Sequence, residues 1–209
     1  MGQANALQRL GHLHMQRNNL GKAEEALTRA LELHTQSQDI LGEANDLKIL
    51  GDLHLQKENL DKAEQTLTRA LELYTQAQSV LGQANDLLSL GDLHMQRDNL
   101  DKAENTFTRA LELHTQAQAS LGQANDLKCL GDLHMRRDNL DEAEDAFMTA
   151  LEFHIQAQSV LGQANDLLSL GDLHMQRDTL DKAEGHLSEH RSCTHKHNLL
   201  LVKQMISKD

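Results

Sequence analysis

The chain has 209 residues and a formal net charge of −12. Hydrophobic residues make up 39% and aromatic ones 2%, and there are two cysteines, no proline and no tryptophan. That composition excludes a disulfide-built secreted scaffold, a collagen-like or linker sequence and a generic binder of nucleic-acid phosphates. No apolar run nears the roughly 20 residues of a membrane span, and the first residues show no signal-peptide pattern. The expected location is therefore cytoplasmic, with reduced thiols and neither nucleic acid nor membrane as a partner.

Along the chain, one segment recurs. Residues 81–104 return at 161–184 with a single difference, Asn99 against Thr179. Related copies start at Leu41 and Leu121, and Met1 stands where a first copy would have its leucine. The period is 40 residues, which indicates an array of stacked units rather than one globular core. The repeats are expected at about 1–40, 41–80, 81–120, 121–160 and 161–188, with 189–209 as a divergent tail or capping helix.

Each copy opens on a first helical pattern, helix A. In the second copy Ala44, Leu47, Leu50, Gly51 and His54 fall on one face. Gly11, Gly51, Gly91, Gly131 and Gly171 lie inside these helices, where glycine costs about 1 kcal/mol against alanine, so their recurrence points to close helix contact. A turn at Asn59-Leu60-Asp61 follows, with Asp61-Lys62-Ala63-Glu64 resembling a capping box. Helix B carries the stripe Ala63, Leu67, Ala70, Leu71 and Tyr74, and a turn near Gly42 or Gly82 is expected after each helix B. Neither helix can bury its stripe alone, so adjacent pairs must stack.

Beside the core stripe, helix A has a polar face. Asn45, Lys48, Asp52 and Gln56 share it, then Asn85, Leu88, Asp92 and Gln96, then Asn125, Lys128, Asp132 and Arg136, then Asn165, Leu168, Asp172 and Gln176. Asn and Gln each offer a donor and an acceptor to a peptide backbone, and the Asp residues favour a basic ligand. His14, His54, His94, His134 and His174 recur every 40 residues. Neighbouring helices sit roughly 8–10 Å apart while zinc binds His at about 2 Å, so successive histidines cannot share an ion. They read as partly buried packing residues, as do His34, His114 and His154, which share a position with Tyr74.

The tail departs from this pattern. From residue 186 on it holds four basic and two acidic residues, which leaves −14 on the first 185. His186, His190, Cys193 and His197 would share one face of a helix and could offer a Zn or Ni site. Nothing in the sequence enforces a helix there, so no metal and no cofactor are assigned. Residues 198–206 are expected as a short capping helix. The array starts without a distinct N-terminal cap, so a fragment of a longer array and self-association through open ends are both expectations.

The Leu-Gly pair with His three residues on, followed by Ala, Leu or Phe, and Ala at the helix-B positions, resembles the tetratricopeptide repeat. The match is carried by Leu50-Gly51, His54, Ala63, Leu67 and Ala70, by Leu90-Gly91, His94, Ala103, Phe107 and Ala110, and by Leu130-Gly131, His134, Ala143, Phe147 and Ala150. The 40-residue period is similar to the long-period arrays of Pins/LGN polarity scaffolds, kinesin light chains and the sensor regions of signalling ATPases. Leu replaces the usual tryptophan, His the tyrosine, and the terminal proline is absent; the six extra residues are expected to lengthen helix B and its turn. The resemblance implies an all-α, right-handed α-solenoid of antiparallel helix pairs. It also implies a non-enzymatic scaffold that takes a protein or peptide segment, basic or polar, in a concave helix-A groove. Alternatives are a self-associating structural array, or a sensing segment of a larger signalling protein. Asp stands where clamps for a C-terminal carboxylate have Asn, and only Lys48, Lys128 and Arg136 supply cations, so that kind of clamp does not fit.

Overall fold

A computed structural model describes residues 2–177 of the chain. Nine helices and no strands occur among the described residues. They are α1 (Gly2–Gln16), α2 (Leu20–Gln36), α3 (Ile40–Gln56), α4 (Leu60–Gln76), α5 (Val80–Gln96), α6 (Leu100–Gln116), α7 (Ser120–Arg136), α8 (Leu140–Gln156) and α9 (Val160–Gln176). Odd-numbered helices are the A helices and even-numbered ones the B helices. The four tail residues His186, His190, Cys193 and His197, and the expected capping helix at 198–206, lie outside the described residues.

From α2 onward every helix has 17 residues. Two such helices and two three-residue turns make the 40-residue period, so helix B is no longer than helix A. The turns differ from the expected ones in place as well. Gly42 and Gly82 lie inside α3 and α5, and the chain reverses at 57–59 and 77–79 instead. The cap of α4 is Asn59, whose side chain accepts from the Lys62 amide at 3.4 Å. Asp61 sits in the first turn, where its charge faces the positive end of the helix dipole. Asp39, Ser79 and Ser159 cap α3, α5 and α9 in the same way.

The middle residue of each turn adopts a left-handed conformation without being glycine. Asn18, Gln38, Glu58, Gln78, Asp98, Gln118, Asp138 and Gln158 have φ between 54 and 60°. Around Glu58 the amides of Glu58 and Asn59 bond back to the carbonyls of Leu55 and His54 at 2.9 Å, which satisfies two orphan carbonyls at the helix end.

The chain divides into two compact units, residues 1–113 and 114–209. In the first, α1 packs on α2, α2 on α3, α3 on α4 and α4 on α5, with α1–α3 and α3–α5 contacts between A helices. In the second, α7 packs on α8, α8 on α9 and α7 on α9. The three-residue connections make each consecutive pair antiparallel. The cores are mostly aliphatic: Leu55, Leu67, Leu87, Leu90 and Leu93 cluster in the first unit, and Leu170 and Leu173 pack with Phe147 in the second.

The helix-A glycines are contact points. A Cβ on Gly51 would fall within 3.0 Å of Leu67, on Gly91 of Phe107, and on Gly131 of Phe147. Leu67, Phe107 and Phe147 are each at most 1% exposed, so the space is already taken.

Candidate functional site

The first two turns of α3, α7 and α9 meet the last turn of the preceding B helix, and there the sequence places its least expected chemistry. His34 Nδ1 lies 2.5 Å from Asp46 Oδ2, His114 Nδ1 2.6 Å from Asp126 Oδ2, and His154 Nδ1 2.5 Å from Asp166 Oδ2. All six side chains are buried. Gly42, Gly122 and Gly162 lie against these imidazoles, and a Cβ there would strike the ring. The histidines pack, as their register with Tyr74 leads one to expect, and each also hydrogen-bonds a buried carboxyl. Burial pushes each of these Asp carboxyls up while the His hydrogen bond pulls it down, leaving Asp126 at about 6.

The fourth position breaks the pattern. Tyr74 stands where the others have His, and its hydroxyl donates to Asn45 Oδ1 at 2.6 Å instead. Asp86 is fully buried, and neither of its carboxyl oxygens has a hydrogen-bond partner among the described residues. Burial pushes its carboxyl up from 3.8 to about 8, against a weaker pull from Lys48. Burial, and then the nearby Asp86, raise the Tyr74 hydroxyl.

The polar face of the A helices is laid out as the spacing requires. In the first unit Asn45 and Asn85 are exposed, as are Gln56, Gln96 and Asp92, while Lys48 and Asp52 are half-buried. In the second unit Asn125, Asn165, Arg136, Asp172 and Gln176 are exposed and Lys128 and Asp132 half-buried. The acidic column is not uniform. Lys48 Nζ donates to Asp52 Oδ2 at 2.7 Å and Lys128 Nζ to Asp132 Oδ2 at 2.8 Å. The Ser89 hydroxyl adds a 2.6 Å bond to Asp52 Oδ1. Asp92 and Asp172 have Leu88 and Leu168 one turn back where the others have lysine.

Two features of this face went unread in the sequence. Leu41, Leu81, Leu121 and Leu161 are all at least 45% exposed and open the same stripe four residues before each Asn. Between α3 and α5 a recess of about 450 Å³, lined by Leu41, Asn45, Lys48, Tyr74, Leu81 and Asn85, gives a side chain somewhere to go. The 40-residue recurrence of an apolar residue outside the core stripe was the available signal.

The helix-A histidines lie along the other side of the same helices. His54 and His174 are buried and His14, His94 and His134 half-buried. Burial pushes His54 and His94 down, toward the neutral ring. Among the described residues no three His, Cys, Asp or Glu side chains are placed to hold a metal ion, and no helix is long and apolar enough to cross a membrane.

The tetratricopeptide repeat profile matches residues 2–76 and 83–154. No curated protein matches the chain. Among solved structures, BtubC (BKLC) from P. vanneervenii is 19% identical over 92% of this chain and 80% of its own, with a TM-score of 0.76. A Rap protein complexed with Competence and Sporulation Factor is 16% identical over 92% and 54%, with a TM-score of 0.84. A signal-transduction ATPase with a tetratricopeptide repeat sensor, from Pyrococcus horikoshii, is 17% identical over 91% and 29%, with a TM-score of 0.78. At these identities the likeness is one of fold.

Proposed function

Since the chain belongs to the tetratricopeptide repeat family, we propose that it is a protein-interaction scaffold whose helix-A faces take up peptide segments. The observation that carries this reading is the column on α3, α5, α7 and α9, Leu, Asn, then Asp, then Gln or Arg, exposed except at the half-buried Asp52 and Asp132 and repeated at fixed register within each unit. Repetition of side chains that can bond a backbone, with an apolar contact at one end, suits an extended segment better than a folded surface. Similarity in fold to a Rap protein solved with a bound signalling factor supports the same reading.

The preferred segment is basic or polar. The first 185 residues carry −14, and that field draws cations toward the face even where Lys48 and Lys128 blunt Asp52 and Asp132. Asp172, beside Leu168, favours a Lys or Arg flanked by an apolar residue. Few rung-to-rung differences mean modest sequence specificity. No nucleophile–base constellation or phosphate loop is part of the reading, and the scaffold acts by holding partners in the cytoplasm.

The test is selection from a random peptide library displayed on phage. Recovered peptides should be enriched in Lys and Arg, and binding should vanish when Asp52, Asp92, Asp132 and Asp172 are all changed to Lys. Recovered peptides without basic bias, or affinity unchanged by the reversal, would overturn the reading.

A further inference from the structure

Asp86 is a buried acid without a donor. Its counterparts Asp46, Asp126 and Asp166 each have a histidine ring at one oxygen, while Tyr74, in the place of the histidine, gives its proton to Asn45. The Asp86 side chain is fully buried, and both its oxygens lack a hydrogen-bond partner among the described residues. A buried carboxyl in that state costs stability. Uncompensated groups of this kind cluster at sites that a ligand completes.

α1 and α3 show how such an acid is reached. Gln8 on α1 extends to Asp46 on α3, and its Nε2 donates to Oδ1 at 2.8 Å. One repeat on, Lys48 has the register of Gln8 and Asp86 that of Asp46. Lys48 Nζ is turned instead to Asp52 Oδ2 at 2.7 Å, and the Ser89 hydroxyl holds the other oxygen of Asp52 at 2.6 Å. Lys48 at the start of that route, and Tyr74 and Asn85 beside its end, line the recess of about 450 Å³ between α3 and α5. The charged groups acting on Asp86 are Lys48 and Asp52 on α3, and the Tyr74 hydroxyl on α4 feels its charge in turn.

The recess selects the shape of its guest. Leu41 and Leu81 line it as half-exposed apolar walls, suited to the methylene stem of a long cationic side chain. Two open oxygens on one carboxyl match the paired N–H groups of a guanidinium, and an ammonium has no such fork.

We propose that this recess is an anchor pocket for an arginine side chain of the bound segment, with the guanidinium forked onto both oxygens of Asp86. As the arginine seats, Asp86 releases any proton it holds to solvent, and the buried carboxylate gains its counter-ion. Asn45 and Asn85 line the same recess, so the anchor lies on the column that meets the segment backbone. The proposal rests on the helix-A face being the binding face and names the residue that this face reads.

The experiment titrates N-acetyl-arginine methylamide alone into the full chain at pH 8.5, with NMR of the Leu methyl groups and Asp carboxyl carbons. At that pH a carboxyl that burial raises to about 8 is mostly ionised. The expected result is saturable shifts at Leu41, Leu81 and Asp86. The citrulline derivative, of the same shape without the charge, and the lysine derivative should each bind at least about tenfold more weakly. Asp86→Asn removes a buried acid and no packing, so it stays folded by circular dichroism, and it should lose the arginine shifts at Leu41 and Leu81. Tyr74→His keeps the carboxyl but gives it the ring its counterparts have, and should weaken arginine binding by a similar factor. Absence of arginine shifts, equal binding of the citrulline or lysine derivative, or binding retained in either variant would each overturn the inference. Because the probe is a single residue, failure here strikes the pocket alone, whereas failure of the library selection strikes the binding face.

Discussion

Asp86 is the clearest place to test the electrostatics of the fold. Its counterparts Asp46, Asp126 and Asp166 each have a histidine ring; Asp86 has Tyr74, whose hydroxyl is turned to Asn45. With a folded-state value of about 8 against 3.8, the folded chain keeps a proton that the unfolded chain has lost. An acid raised in this direction contributes stability at low pH, and that contribution is lost as pH rises from about 4 to about 8. Each pH unit in that window costs about 1.4 kcal/mol, so on the order of 4 kcal/mol is lost by pH 7. Asp86→Asn is a neutral replacement of the same shape. It should match the parent near pH 4 and exceed it by that amount at pH 7, with the difference level above pH 8. Repeat arrays often unfold in parts, so amide hydrogen exchange of α5 is the suitable assay, run from pH 4.5 to 8.5 with intrinsic rates corrected. Tyr74→His should flatten the same pH dependence by giving Asp86 the ring its counterparts have. A difference between Asp86→Asn and parent that is absent, or constant with pH, would refute the reasoning.

Three further outcomes are expected. Gly91→Ala places a methyl into Phe107 and should cost about 1–3 kcal/mol in chemical denaturation, whereas Gly21→Ala, with nothing within 4 Å, should be neutral or stabilise by up to about 1 kcal/mol. Gln78→Gly at φ 55° relieves a left-handed strain of about 1–2 kcal/mol and should raise the melting temperature; no rise would contradict the strain argument. Lys48→Leu removes the partner 2.7 Å from Asp52 and should tighten binding of a Lys-rich peptide severalfold in low salt, an effect that fades as salt is added.

Much of the fold could be read from the sequence because one period governs it. Leu50-Gly51 against Leu67, and Leu90-Gly91 against Phe107, recur at matched positions, so the close contacts followed from register alone. Helix ends were less legible. Asn59 and Asp61 are both good caps, and only the backbone decides that Asn59 receives the Lys62 amide. Equal helix lengths were hidden for a related reason: Gly42 looks like a turn residue but is small because an imidazole lies on it. The His–Asp layer escaped because its spacing of 12 crosses a turn, and helical periodicity relates residues only within one helix. The substitution of Tyr74 for His, opposite an unchanged Asp86, was the clue in plain view. The spacing of the Asn residues showed that they share a face, but gave no sign that His34 or Tyr74 would lie at the Asn5 and Asn45 carbonyl oxygens.

The central claim is that partners bind on the A helices. The most direct measurement is NMR mapping of a library-selected basic peptide on the isotope-labelled chain. The account predicts that the largest shifts fall on Leu41, Asn45, Asn85 and Asp92 in the first unit and on Asn125, Asn165 and Asp172 in the second. Shifts concentrated instead on the outer face of α4, at Gln65, Arg69 and Glu72, would contradict it.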